Sequence, residues 1–277
     1  MRYLYWALVG FAFWFFSSHE LFLKADRYQL SPESRGELSL FNGTFDQSDN
    51  LITRDRITDA RVVGADYRFL PQPKDWYDDG TTTRMRFEVG KRGTYVAGVS
   101  TRPRMIRLES ASFNDYLRHE GIRDVLEARQ SAGILDRDAR EQYAKHVKAV
   151  LQVGDSRDTT HRQILNYPVE FVLKNNPYDL TKIGDTLHVQ LLQHGQALPN
   201  QWVYVGYRQK NATHKRTSTH THQMRAGGWR TDAEGKLALP ITQTRSYAYL
   251  TTIWMREDPS DTIDYVSDWA TITFELR

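Results

Sequence analysis

The spacing of hydrophobic and polar positions changes several times along this chain. Tyr3 to Phe16 is an uncharged apolar run with no polar face. From Glu37 to Arg107, short alternating runs are split by Gly and Pro. In TRMRFEVGKRGTYVAGVS, Met85, Phe87 and Val89 share one face, while Arg84, Arg86 and Glu88 share the other. GKRG supplies a turn and Tyr95 to Val99 a second strand, so the pattern predicts a half-buried hairpin. PQPKDWYDDG reads as a loop.

Between Ser110 and Gly154 the period becomes helical. Phe113, Tyr116, Leu117, Ile122, Val125 and Leu126 recur at helix spacing, with Ser112 as N-cap and Gly121 as a break or kink. Tyr143, Val147, Val150 and Leu151 form a second stripe, which Asp136 or Asp138 starts and Gly154 stops. These predict a helical pair. After the polar linker GDSRDTTHRQ the period returns to two. Leu187, Val189 and Leu191 alternate with His188 and Gln190, and YVGYR, KLALPI, YAYLTTIWM and WATITFEL read as further strands. The expected fold is therefore mainly β: two β-sandwich-like domains of the immunoglobulin or prealbumin kind with an intervening helical pair. The expected boundaries are a signal peptide at 1–18, an N-terminal β domain at 19–109, a helical segment at 110–155 and a C-terminal β-sandwich at 165–277.

Composition narrows the function classes. The chain has 277 residues, 40% of them hydrophobic and 12% aromatic, enough for a packed core. The formal charge is +3, and loss of Arg2 with residues 1–18 lowers it by one. So balanced a chain is not expected to bind nucleic acid. Cysteine is absent, which excludes disulfides, thiolate metal sites and a Cys nucleophile. Arg2, the apolar run and then Ser17 and Ser18 have the layout of a secretory signal, which predicts a periplasmic or secreted protein, with retention as an uncleaved anchor the alternative.

Candidate chemistry rests on histidine. If cleavage follows Ser18, the α-amine and imidazole of His19 lie on one residue and can chelate one ion. Such nitrogen ligands suit copper, nickel or zinc. The plainer reading has His19 and Glu20 leading into an edge strand, with Leu21 and Leu23 packed inward. In NATHKRTSTHTHQM, an extended THTHQ puts His220 and His222 on one face, with Cα atoms roughly 7 Å apart, and His214 can close the set. The plainer reading is a solvated loop, and Lys215, Arg216 and Arg225 oppose a cation there. His119 and Glu120 are helix neighbours that do not face each other. His146 reads as a partly buried structural residue, and His161, His188 and His194 as surface residues. The chain has no Gly-x-Ser-x-Gly, His-Glu-x-x-His, phosphate-loop or EF-hand pattern, and an enzyme is not expected. In DWYDDG, Asp75, Asp78 and Asp79 could hold calcium or sugar, but turn chemistry explains them equally. Trp76, Trp202 and Trp229 could stack on carbohydrate or belong to the core.

Four stretches resemble the domain-of-unknown-function 4198 family: the His-Glu opening at His19; PRMIRLESASFNDYLRHEGIRDVLEARQSAG leading to AREQYAKHVKAVLQVGD; PVEFVLKNNPYDLTKIGDTLHVQLLQHGQALPNQWV; and TDAEGK with the closing WATITFEL. The resemblance implies a secreted bacterial protein, a periplasmic component of nickel or cobalt uptake that works with a membrane transporter component. It differs from the family pattern at LFNGTF, where a charged or histidine residue commonly follows Gly, and at Trp254-Met255, where His-Met is common. GQALPNQWVYV followed by TDAEGKLALPI also resembles the prealbumin-like β-sandwich module, usually a structural or binding unit. The expectation is thus an exported binding protein for a nickel, cobalt, copper or zinc ion, with His19, His214, His220 and His222 as ligands. The alternative is a cell-envelope interaction or carbohydrate-binding module without metal.

Overall fold

Alternation along the strands gives three sheets that enclose two cores. The computed structural model describes residues 20–210, 227–260 and 262–277. The N-terminal strands are β1 (Glu20–Ala25), β2 (Gln29–Leu30), β3 (Arg35–Gly43), β4 (Ser48–Asn50), β5 (Ile57–Gly64), β6 (Tyr67–Phe69), β7 (Trp76–Asp79), β8 (Thr82–Glu88), β9 (Gly93–Thr101) and β10 (Arg104–Leu108). Helices α1 (Ser110–His119) and α2 (Arg123–Ser131) follow, then β11 (Ala139–Val153). The remaining strands are β12 (Val169–Leu173), β13 (Thr186–Gln193), β14 (Gln196–Ala197), β15 (Trp202–Gln209), β16 (Trp229–Arg230), β17 (Lys236–Pro240), β18 (Ser246–Glu257) and β19 (Tyr265–Glu275).

A ten-stranded sheet runs in the order β16-β15-β18-β19-β11-β9-β5-β6, with β10 and β2 also on β11. A five-stranded sheet, β1-β3-β8-β7 with β4, covers one face, and a four-stranded sheet of β12, β13, β14 and β17 covers the other. Leu23, Leu40, Met85 and Phe87 pack on Val99, Val147 and Leu151 in the first core. Phe171, Val189 and Leu239 join Val150, Leu250 and Ile272 in the second. The large sheet therefore draws strands from both sides of the boundaries expected at 109 and 155, and β11 pairs in parallel with β19.

Two sequence expectations are corrected. The helical pair exists, but both members fall within Ser110–Ser131. Gly121 adopts φ +69°, and a Cβ there would collide with the Tyr204 hydroxyl, so the chain turns at this glycine and α2 starts anew. The stripe Tyr143, Val147, Val150 and Leu151, expected as the second helix, belongs to the 15-residue strand β11. Covered by a sheet on each side, β11 is buried from Ala144 to Val153, and tertiary pairing overrides its helical spacing. Second, β8 and β9 form no hairpin. β8 pairs with β3 and β7, β9 with β5 and β11, and GKRG carries the chain between sheets. All nine residues of β9 are buried, as a central strand requires, whereas β8 keeps one charged face.

The helices close one end of the molecule. Phe113, Tyr116, Leu117 and Ile122 pack on Tyr265 and Trp269 of β19. Buried Arg129 fastens them: Nε donates to Asn114 Oδ1 at 3.1 Å, and Nη2 donates to the carbonyls of Ile134 and Arg137. No helix of the described residues is long and apolar enough to cross a membrane.

Candidate functional site

The four histidines expected as ligands, His19, His214, His220 and His222, lie outside the described residues. Their described neighbours in sequence are Glu20, at the start of β1, and Gly227, which precedes β16.

Between these flanks lies a set of titratable groups buried at one end of β11. Glu141, Tyr143 and Lys145 alternate along the strand and project to one face, toward the helices and β1. Glu141 accepts from the Ser267 hydroxyl and, at 3.1 Å, from the Tyr116 hydroxyl. The Trp269 indole donates to Ser267 Oγ at 3.2 Å, and its ring stacks on Tyr116. Burial outweighs these bonds and raises the Glu141 pKa to about 7. The Lys145 ammonium donates to Asn42 Oδ1 at 3.2 Å and lies 5.0 Å from the Trp269 ring centre. Burial first, and then the charge of Arg56, lowers its pKa to about 8, against the pull of Glu120, Glu20 and Glu141.

Lys145 is therefore where distant segments meet. Glu20 comes from the first described strand and Glu120 from the end of α1. Three residues beyond Glu120, Arg123 Nη2 donates to the carbonyl of Gly227 at 2.8 Å. The junction of the two helices thus borders the described flanks of both histidine-bearing segments. A small cavity there is lined by Glu120, Asp124, Gln201, Trp202 and Met255 among others. The Trp202 ring has the guanidinium carbons of Arg123 and Arg230 each at 4.5 Å from its centre, two cation–π contacts. Trp76 is likewise stacked by Arg54, and Trp229 is 43% exposed.

The other face of β11 carries a second polar set. His146, expected to be partly buried, is almost fully so, with Nδ1 2.9 Å from the Ser100 hydroxyl and Nε2 3.1 Å from Asp268 Oδ1. This Ser-His-Asp row is sealed between sheets: the Tyr167 ring lies 5.9 Å from the imidazole and Arg256 pairs with the far oxygen of Asp268. Two residues along, the Lys148 ammonium donates to Glu170 Oε2 at 2.9 Å and to the carbonyls of Gln163 and Phe171. Glu170 in turn accepts from the amides of Leu165 and Tyr167. His161 is buried against the carbonyl of Asp158 instead of lying at the surface.

Other sequence candidates have partners. Asp78 pairs with Arg54 and Asp79 with Arg84, while Asp75 accepts from the Gln72 amide at 2.7 Å. Among the described residues, no group of three or more His, Asp or Glu side chains is placed to hold a metal ion. Sequence reasoning missed Arg56, Tyr143 and Lys145. The signal that could have found Tyr143 and Lys145 is the spacing of two along Glu141, Tyr143 and Lys145 in AREQYAKHVK, read as strand rather than helix; Arg56 carries no such signal.

The fold and this centre define a class: a β-sandwich assembly with a helical cap and titratable groups buried under the cap. The chain belongs to the DUF4198 family, a domain of unknown function whose model matches residues 16–248. No curated protein matches the chain. Among solved structures it is similar to the D0-D1 domain of intimin, at 9% identity over 93% of this chain and 98% of that one, with a TM-score of 0.22. The Yersinia pseudotuberculosis adhesin InvE matches at 11% identity over 94% and 59% of the two chains, with a TM-score of 0.23. The mouse nectin-like molecule 4 ectodomain matches at 11% identity over 93% and 65%, with a TM-score of 0.19.

Proposed function

We propose that this protein is an exported, non-enzymatic binding protein for a transition-metal ion such as nickel, cobalt, copper or zinc, which it passes to a membrane transporter component. The ligands in this reading are His19, His214, His220 and His222. The observation that supports it is the convergence at the helix junction: Glu20, next to His19 in sequence, and Glu120 both act on Lys145, and Arg123 holds Gly227 at the end of the histidine-rich segment. Carboxylates at that junction would add oxygen ligands and negative charge to imidazole nitrogens, a donor set such ions accept.

Calorimetry on a chain beginning at His19 tests this reading with each of the four ions. Binding tighter than about 1 μM is expected for at least one of them. Affinity should fall in the His220→Ala/His222→Ala double variant and when a residue is placed before His19. Absence of heat for all four ions ends the reading. Unchanged affinity in both variants removes these ligands and leaves the metal.

A further inference from the structure

The chain leaves the five-stranded sheet between β1 and β2. β1 ends at Ala25, the Asp26 amide donates to the Glu37 carbonyl at 3.0 Å, and Gln29 and Leu30 then pair in parallel with Gln152 and Val153 of β11. Tyr28 and Leu30 fill the first core, so Asp26 and Arg27 stay outside it, both exposed. This crossing between sheets leaves a cleft of about 270 Å³ beside the first residues of β3, with Asp26, Arg27, Leu30, Arg35, Glu37 and Arg86 in its walls. Its volume lies just under the usual range of small-molecule sites, roughly 300–1,000 Å³, so it suits a small ligand.

The charges on its walls fall into two groups. Glu37 is fully engaged: it accepts from the Tyr77 hydroxyl at 2.6 Å, Arg84 Nη1 at 2.7 Å and Arg86 Nε at 3.4 Å. Arg86 also lies over the Tyr77 ring, its guanidinium carbon 4.1 Å from the centre, and Arg35 has Glu88 at 3.5 Å. The Asp26 carboxylate and the Arg27 guanidinium are different. Neither has a side-chain hydrogen bond or an ion pair among the described residues, although they are neighbours in the chain. With the matched groups set aside, the cleft presents one free anion and one free cation, no surplus of either sign, and Leu30 as an apolar contact. A simple ion would meet a repelling charge beside its attracting one. A molecule that carries both signs meets each with its opposite.

We propose that this cleft binds a small zwitterion, a free α-amino acid with a short aliphatic side chain. Arg27 takes the carboxylate through its planar fork, Asp26 takes the ammonium, and Leu30 meets the side chain. The site is independent of the metal reading and shares no residue with it.

Ligand-observed NMR titration of the whole protein with L-valine tests the site against two analogues: N-acetyl-L-valine, which lacks the ammonium, and L-valinamide, which lacks the carboxylate. Saturation by valine with a Kd on the order of 1 mM is expected. Each analogue should bind about three- to fivefold more weakly, the size of one exposed ion pair. Asp26→Asn should abolish the preference for valine over N-acetyl-L-valine and keep that over valinamide, and Arg27→Gln should do the reverse. Both side chains are exposed, so neither change disturbs the core. Arg102→Gln, exposed between β9 and β10, should leave all three affinities unchanged. No saturation by valine below about 20 mM overturns the proposal, as do equal affinities for the three compounds or parental preferences in both Asp26→Asn and Arg27→Gln.

Discussion

Lys145 and Lys148 stand three residues apart on one strand, both buried, and solve the problem of a buried ammonium differently. Lys148 has its three donors matched by Glu170 and two carbonyls, and Glu170 is itself held by two backbone amides. Every member of that set is used up in joining β11 to the linker and to β12. Lys145 faces one amide oxygen, two aromatic rings and another cation, and three carboxylates reach it from separate parts of the chain. A closed network serves the fold. Around Lys145 the partners come from separate parts of the chain, and the cost of its burial appears as a lowered pKa.

The comparison breaks most clearly at Lys148. Lys148→Met strands the Glu170 carboxylate in the core and should cost about 3–5 kcal/mol by urea denaturation. Adding Glu170→Gln removes the stranded charge but keeps an oxygen for only one of the Leu165 and Tyr167 amides, so it should recover part of that loss. If the single variant is as stable as the parent, the closed-network account is wrong.

Lys145 should behave in the opposite sense. Its pKa is lowered from 10.5 to about 8, so between those values the unfolded chain binds more protons and stability rises with pH. The penalty is fully present below about pH 8 and is relieved as pH approaches 10.5. Lys145→Met should therefore stabilise the protein near pH 7, by on the order of 2–3 kcal/mol, and flatten its pH profile above 8. A destabilised Met variant with an unchanged profile would show that the ammonium is well matched.

Glu141 sharpens the contrast at lower pH. Its pKa is raised from 4.5 to about 7, so its favourable contribution is full below pH 4.5 and is lost as pH rises through 7. Glu141→Gln should abolish that slope and leave the variant more stable at pH 8, by about 1–2 kcal/mol. Melts at pH 5 and pH 8 decide the point. The smallest effect belongs at the surface, where the Arg35–Glu88 pair is 83% and 76% exposed. Glu88→Ala should leave the urea midpoint within measurement error.

The strands of the C-terminal half were legible because each keeps one face in a core. Leu187, Val189 and Leu191 are buried and His188 is exposed, as their alternation requires. Asp232 and Gly235 form a turn before β17, with Asp232 Oδ1 accepting from the amides of Glu234 and Lys236. β11 was illegible for a physical reason. Glu141 and Lys145, four apart, imitate a helical ion pair on a solvated face, and only pairing with β9, β10 and β19 makes burial of such charges possible. The same residues hid the centre, since Arg56, Glu120 and Lys145 look like isolated surface charges until the chain folds. The histidine pattern was plain in the sequence, but its residues lie outside those described.

The parallel pairing of β11 with β19 also bears on how the chain reaches its folded state. β19 sits between β18 and β11, and Trp269, Ile272 and Phe274 contribute to the packing on both faces of the large sheet. Residues 139–153 can therefore complete their burial only once residues 265–275 have arrived. Contacts of such long sequence separation slow folding, because loop closure must precede their reward. A chain ending before residue 265 should remain protease-sensitive through β11, with its charged, half-apolar strand exposed as a target for chaperones.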